Sequence, residues 1–393
     1  MSTLDDRYDV VIVGGGVIGC MTAQELASDH DVLLIEKNQI AGETTGKASG
    51  LISVVAEVPN NPALAHYSID FFREYDGTGD FEFTERSRVQ LTPPELEEPT
   101  RETVRKSAEN GFDTTFLDAN TVESRFPGIF DLSEYVGAAV YEDAGWIDPY
   151  TFTMTLKEAA EDSGADVVTG VEVESVVIED NKVHSIKTDA GDIRTEHAVV
   201  TAGWKTRSLL EGILEIPVYP FRWQTVTLQS GRELRDDYPM GYDPVAKRYW
   251  RPEHNGNLHV GGGEYKVENP GGVRKQVTEE FKLETARKMP KRLKHLENAT
   301  VVNGDTCPVG DATTPDKFPI LDEPENGPDG LIVSTGYHIG GVMVSPAVGI
   351  GTRALITGEK APFPLDAFSM SRFNTTSTDF EFVGLMEAHT SYD

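Results

Sequence analysis

A mixed α/β (α+β) fold, with a Rossmann-like nucleotide-binding layer and a separate antiparallel sheet, is predicted by three features of this chain. The segment YDVVIVGGGVIGCMTAQELASDHDVLLIEK places a buried strand, a glycine turn, a helix, a second strand and a closing acid in dinucleotide-binding order. Strand-like and helix-like pieces then alternate as far as residue 360. Between 216 and 270 the runs PVYPFRWQTVTL, KRYWRP and NLHVGGGEY have strand character, suggesting an antiparallel sheet distinct from the nucleotide-binding layer.

The first unit carries the most chemistry. Gly14, Gly16 and Gly19 supply, in turn, a tight bend, room for backbone to approach a pyrophosphate, and close helix-to-strand contact. Glu36, 22 residues past Gly14, ends the second strand, where a carboxylate accepts hydrogen bonds from ribose hydroxyls and repels a 2′-phosphate. FAD or NAD fits that acid; NADP does not. Further along, Asp148 is a predicted helix cap with Pro149 in the first position; Phe152, Leu156 and Ala159 recur on one face, and Gly164 stops the helix. HAVVTAGW at 197–204 reads as a buried strand ending in a turn at Gly203. The stretch DGLIVSTGYHIGGVMVSPAVGIGTRALITG reads as strand, glycine-rich turn and helix, with the helix predicted to start at Ser345 and Pro346 and to stop at Gly358.

Composition narrows the partners. The 393 residues are enough for two or three domain-sized units, and no segment approaches the roughly 18 to 20 apolar residues of a membrane span. The N-terminal MSTLDDRYDV lacks the basic flank and apolar run of a secretory signal, which predicts a cytoplasmic protein. Sixty-five acids against 35 Lys plus Arg give a net charge of −30, spread along the chain, which argues against nucleic acid and anionic membranes as partners. Such a diffuse acid excess predicts a halophilic protein, inactivated or unfolded at low salt; the alternative is an ordinary acidic surface. Cys20 and Cys307 are the two cysteines, so a disulfide framework and a cysteine-rich metal site are excluded.

Seven motifs together resemble the FAD-dependent D-amino-acid oxidase superfamily, nearest its sarcosine oxidase and glycine oxidase branch: GGGVIG at 14–19, IEK at 35–37, GETTGKASG at 42–50, DAGWIDP at 143–149, VVTAGW at 199–204, TPDKFPIL at 314–321 and STGYHIGGVMVSPAVG at 334–349. The resemblance implies a discontinuous FAD-binding domain (1–85, 143–215 and 301–365), an inserted antiparallel-sheet substrate domain (86–142 and 216–300) and a C-terminal tail (366–393). It implies that Gly14, Gly16, Val17, Ile18 and Gly19 meet the pyrophosphate, and Glu36 and Lys37 the adenosine end. Thr44, Thr45, Ala48, Ser49 and Gly50 would meet the middle of FAD, Val173 the adenine, and Gly203 would turn beneath the cofactor. Gly336, Tyr337, His338, Ile339, Gly340, Gly341 and Val342 would line the isoalloxazine. The implied reaction removes a hydride equivalent from the C–N carbon of a small amine or amino acid, with oxygen or another acceptor taking the electrons. Two alternatives keep the same fold: a 2-hydroxy acid or polyol phosphate dehydrogenase, and a flavin-bearing subunit of an electron-transfer complex.

The chain departs from the branch where substrate is held. Cys307 and Ile339 stand where glycine oxidases carry arginines, and Gly50 and Met343 where sarcosine oxidases carry an arginine and a lysine. Replacement candidates are Arg251 and Tyr249, on one face of a strand by alternation, and His338 in the last turn. The plainer reading of Arg251 is a surface or domain-interface ion pair. His259 stands where sarcosine oxidases place a lysine over the flavin, and carries charge there only if its pKa stays high. Cys307, nine residues before Asp316, is either a covalent FAD attachment point or a buried unmodified thiol.

Overall fold

The computed structural model describes residues 6–230, 234–267, 276–382 and 384, with the side chains of 305–310 not described. Two eight-stranded sheets dominate it. In the first, Arg7–Val13 pairs in parallel with Val32–Glu36 on one side and Gly191–Val200 on the other, and Asp166–Thr169 extends the sheet beyond Val32–Glu36. The strand Gly191–Val200 has a divided outer edge: its first half pairs with the hairpin strand Lys182–Thr188, its second half with Leu331–Thr335. Five strands, Arg7–Val13, Val32–Glu36, Asp166–Thr169, Gly191–Val200 and Leu331–Thr335, therefore direct their carboxyl ends toward one rim, the position where open α/β sheets bind ligands.

Helices Val17–Leu26, Pro62–Tyr75, Pro149–Asp162 and Gly341–Thr357 supply side chains to one large apolar core of this layer, which includes Val10, Ile12, Met21, Leu26, Phe72, Phe152, Leu156 and Val348. A second core, including Val11, Leu33, Ile186 and Val200, completes the burial of its strands. The expected cap is present: Asp148 accepts from the Thr151 N–H at 2.7 Å, and Gly164 takes a φ of +108° past the helix end. The apolar face is shifted by one residue, since Ala160 is buried and Ala159 half-buried.

The last helix departs from expectation. It starts at Gly341, so Ser345 and Pro346 lie inside it. Pro346 has no N–H for the Val342 carbonyl one turn back, and the Ser345 hydroxyl donates to that carbonyl at 2.9 Å instead. The pair reads as a start signal because proline is tolerated there; here serine repairs an interior position. Gly358 ends the helix at φ +72°, as expected.

The second sheet runs in the order Thr300–Thr313, Tyr219–Gln229, Leu258–Lys266, Arg248–Pro252, Met240–Asp243, Arg88–Thr92, Gly137–Tyr141, Thr114–Asp118. It is antiparallel except that Met240–Asp243 and Arg88–Thr92 pair in parallel. That junction joins the segments 86–142 and 216–300 into one sheet. The 301 boundary expected for the third nucleotide-binding segment falls inside Thr300–Thr313, a strand paired along Tyr219–Gln229 in this second sheet. The described part of the expected tail is packed rather than loose: Phe380 stacks on Tyr219 at 4.3 Å, and Arg372 bonds Asp316.

Candidate functional site: a nucleotide cradle opening into a second cavity

Gly14 takes a φ of +114°, a conformation that side chains rarely adopt, and so turns the chain from strand into helix. At Gly19 a Cβ would lie 1.9 Å from the Gly14 carbonyl oxygen, so only glycine lets the helix start this close to the turn. Glu36 accepts from the Gly15 N–H at 2.8 Å and the Asn38 N–H at 2.7 Å, which holds its carboxylate at the strand end. Thr45 Oγ1 accepts from the Val17 N–H at 3.1 Å and ties the following loop to the helix start.

These groups border a cavity of about 370 Å³ running from Glu36, past the glycine turn, to Trp223 and Tyr337. Helix-start N–H groups, a carboxylate at the second strand's end and walls too close for side chains fit a dinucleotide. A second cavity of about 800 Å³ lies beside the first. The two share Ala48, Trp223, Tyr337, Ile339 and Val342. Among the described residues no group of three or more His, Cys, Asp or Glu forms a metal site.

Of the residues expected at the cofactor, Gly14, Gly16, Val17, Ile18, Glu36, Lys37, Thr44, Thr45, Ala48, Val173, Gly203, Tyr337, Ile339, Gly341 and Val342 border the first cavity. Ser49, Gly50, His338 and Gly340 border the second, and Gly19 and Gly336 border neither. The Cys307 backbone pairs with Trp223, while its side chain lies outside the described residues. Buried Cys20 packs in the main core, and burial pushes its thiol well up.

The substrate-side candidates come together around Ser49. Its hydroxyl lies 2.9 Å from the Tyr249 hydroxyl and 2.8 Å from His259 Nε2, and its carbonyl accepts from Arg251 Nε at 2.6 Å. Tyr249 and Arg251 do share a face, and His259 sits opposite Arg251 across the strand pair. Burial first, then the neighbouring Arg251, pushes His259 down to about 3 and so favours its neutral form, although Glu253 lies 3.9 Å from its Nδ1. Arg251 lies over the Trp146 ring and also donates to the Pro252 carbonyl, so it braces the Ser49 loop.

The turn at the junction is strained. His338 and Ile339 have φ of 44° and 64°, two successive side-chain-bearing residues in the left-handed region. The strand end Asp311–Thr313 holds them there. Ala312 accepts from the His338 N–H at 3.1 Å, Thr313 Oγ1 meets His338 Nδ1 at 2.7 Å, and Asp311 accepts from the Ile339 N–H at 2.6 Å. His338 stacks on Phe221, and burial holds it neutral, down to about 3. Burial drives Asp311 the other way, up to about 7, against the lowering effect of its bonds from the Ile339 and Ala312 N–H groups.

Sequence reasoning did not single out Trp223 or Asp311 in the first cavity, nor Glu57, Arg88 and Tyr242 in the second. Arg88 and Gln90 alternate with Val89 and Leu91, a pattern that reads as a solvent face; here both polar residues are buried.

A cradle at the carboxyl ends of parallel strands, opening into a cavity roofed by a second sheet, defines a two-layer protein of the dinucleotide-binding class. The chain belongs to the FAD dependent oxidoreductase family (DAO), whose model matches residues 9–354. It is 25% identical over 399 residues to the human mitochondrial dimethylglycine dehydrogenase, covering 95% of this chain and 45% of that protein. It is also 25% identical over 385 residues to the glycine oxidase of Geobacillus kaustophilus, covering 93% and 97% of the two. The chain thus spans about half the length of the dehydrogenase-type relatives it matches. The L-proline dehydrogenase structure from P. horikoshii superposes with a TM-score of 0.84 at 23% identity, over 93% of this chain and 97% of that one, and shares the fold.

Proposed function

We propose that this chain uses FAD to oxidise the C–N bond of a small amine or amino acid. The observation that carries this reading is the shared wall of Ala48, Trp223, Tyr337, Ile339 and Val342, where the nucleotide-lined cavity meets the larger one. When bound, FAD would supply the hydride acceptor. Gly14, Gly16, Glu36 and Thr45 would hold its nucleotide portion, and the 337–342 turn would border its ring system. The larger cavity would hold the substrate carbon against that border and exclude water. Relatives named for glycine oxidation and for dimethylglycine dehydrogenation support C–N chemistry.

No protein base is required, because an amine entering neutral loses hydride directly. Ser49, Tyr249 and His259 form a neutral hydrogen-bonded group, since burial also pushes the Tyr249 phenol up. His259 lies behind Ser49 and lines neither cavity; a neutral histidine in place of the lysine that sarcosine oxidases carry favours an electron acceptor other than oxygen. Anaerobic mixing of the holoprotein with amines, amino acids and 2-hydroxy acids tests the reading. Bleaching of the flavin by nitrogen compounds alone is expected. Bleaching by hydroxy acids alone would transfer the assignment to C–O chemistry.

A further inference from the structure

The wall of the second cavity carries an ion pair that the reading above leaves without a task. Arg88 is 3% exposed, and its Nη2 donates to Glu57 Oε1 at 2.6 Å. Nη1 donates to Gln90 Oε1 at 3.2 Å, and the guanidinium lies between the rings of Tyr141 and Tyr242, 5.6 and 5.9 Å from their centres. Arg88, Glu57 and Tyr242 all border the cavity. The ion pair is made through one atom of each partner, not as a two-pronged fork, so the guanidinium keeps donors beyond those two bonds. Burying two charges is costly, and a pair held for stability alone gains little over apolar packing.

The neighbours place this pair on the reactive side. Tyr242 lies opposite Tyr249, whose hydroxyl meets Ser49, and the next strand over carries Arg88. One sheet face thus leads from His259 through Tyr249 and Tyr242 to Arg88. Gly50, Ile339 and Met343, which border the same cavity, bring no charge to it. Arg372, also at this cavity, is committed to Asp316 and to the carbonyls of Phe318, Pro319, Phe368 and Ser369. Lys317 is a flexible point charge, whereas Arg88 presents a planar fork held in place by its neighbours.

We propose that Arg88 is the carboxylate anchor of the second cavity, and that Glu57 is the resident anion that an incoming amino-acid carboxylate displaces from it. This rests on the amine-oxidising reading and narrows the substrate class to compounds bearing a carboxylate near the amine. Glu57 then competes with substrate, so the two partners act in opposite directions. A purely structural pair would make them act in the same direction.

Titration of the oxidised FAD-loaded protein with pyrrole-2-carboxylate, followed by the flavin difference spectrum, separates these cases. Arg88→Met is expected to weaken binding about 10- to 100-fold, the range for losing a charge-assisted hydrogen bond. Glu57→Gln is expected to tighten it. The double variant Arg88→Met with Glu57→Gln leaves no unpaired buried charge and keeps the fold testable; it should bind as weakly as Arg88→Met alone. Wild-type affinity in the double variant, equal weakening by both single variants, or no saturable binding to the wild type would overturn the proposal. Pyrrole itself should be indifferent to all three changes. The amine-oxidising reading is read separately, from anaerobic flavin bleaching by proline or N-methylglycine; its failure leaves the titration readable.

Discussion

Asp311 makes one carboxyl group responsible for the shape of the turn where the two cavities meet, since it holds the Ile339 N–H while burial lifts its own proton affinity to about 7. Below the ordinary value of 3.8 both folded and unfolded chains keep the proton. Between there and about 7 only the folded chain keeps it, so the native state loses ground as pH rises; above 7 both are ionised and the loss is complete. Asp311→Asn should therefore gain on the wild type by on the order of a few kcal/mol between pH 4 and pH 7, at about 1.4 kcal/mol per unit. Urea unfolding at each pH reads the gap, and a flat difference would mean that Asp311 does not titrate there. His259 works in the opposite sense. Its folded value is depressed to about 3, so its contribution is complete above about 6.5 and is lost on acidification. Because it is neutral across the working range, His259→Asn should leave the pH profile of flavin reduction unchanged between pH 5.5 and 8; a lost ionisation near neutrality would restore the charged reading.

At the level of elements, the first strand, turn, helix and second strand were legible because each step there is local. Gly14 needs a positive φ and Gly19 needs contact with Gly14, both set by neighbours a few residues away. Gly19→Ala places a methyl group into the Gly14 carbonyl, and loss of bound FAD is expected, read as colourless purified protein. The start of the last helix was misread because Ser-Pro signals an N-terminus equally well when serine is repairing an interior proline. Ser345→Ala should leave the Val342 carbonyl unpaired and cost about 1 kcal/mol, a fall in Tm that unchanged melting would contradict. Residues bordering the first cavity were easier to foresee than those bordering the second. Arg88, on a strand, and Glu57, at the end of the short helix Val54–Glu57, lie 31 residues apart and meet only in the folded chain, and alternation cannot distinguish a polar face on solvent from one on a cavity.

Over the whole molecule, the net charge of −30 produces self-repulsion that ions relieve, with a Debye length of about 3 Å near 1 M salt against about 10 Å at 0.1 M. The melting temperature should rise steeply with potassium chloride up to molar concentrations; a curve flat above 0.1 M would mark the surface as acidic without salt dependence. The order of strands has a different consequence, one of timing. Arg7–Val13 leaves the ribosome well before one of its two partners, Gly191–Val200, which lies at least the length of a domain further on, and that strand in turn awaits Leu331–Thr335. At about 5–20 residues per second, the first strand keeps an open edge for roughly 10 to 40 s of synthesis. A growing chain of this topology is a client for whatever shields nascent strands, and its yield should depend on translation speed more than its finished stability suggests.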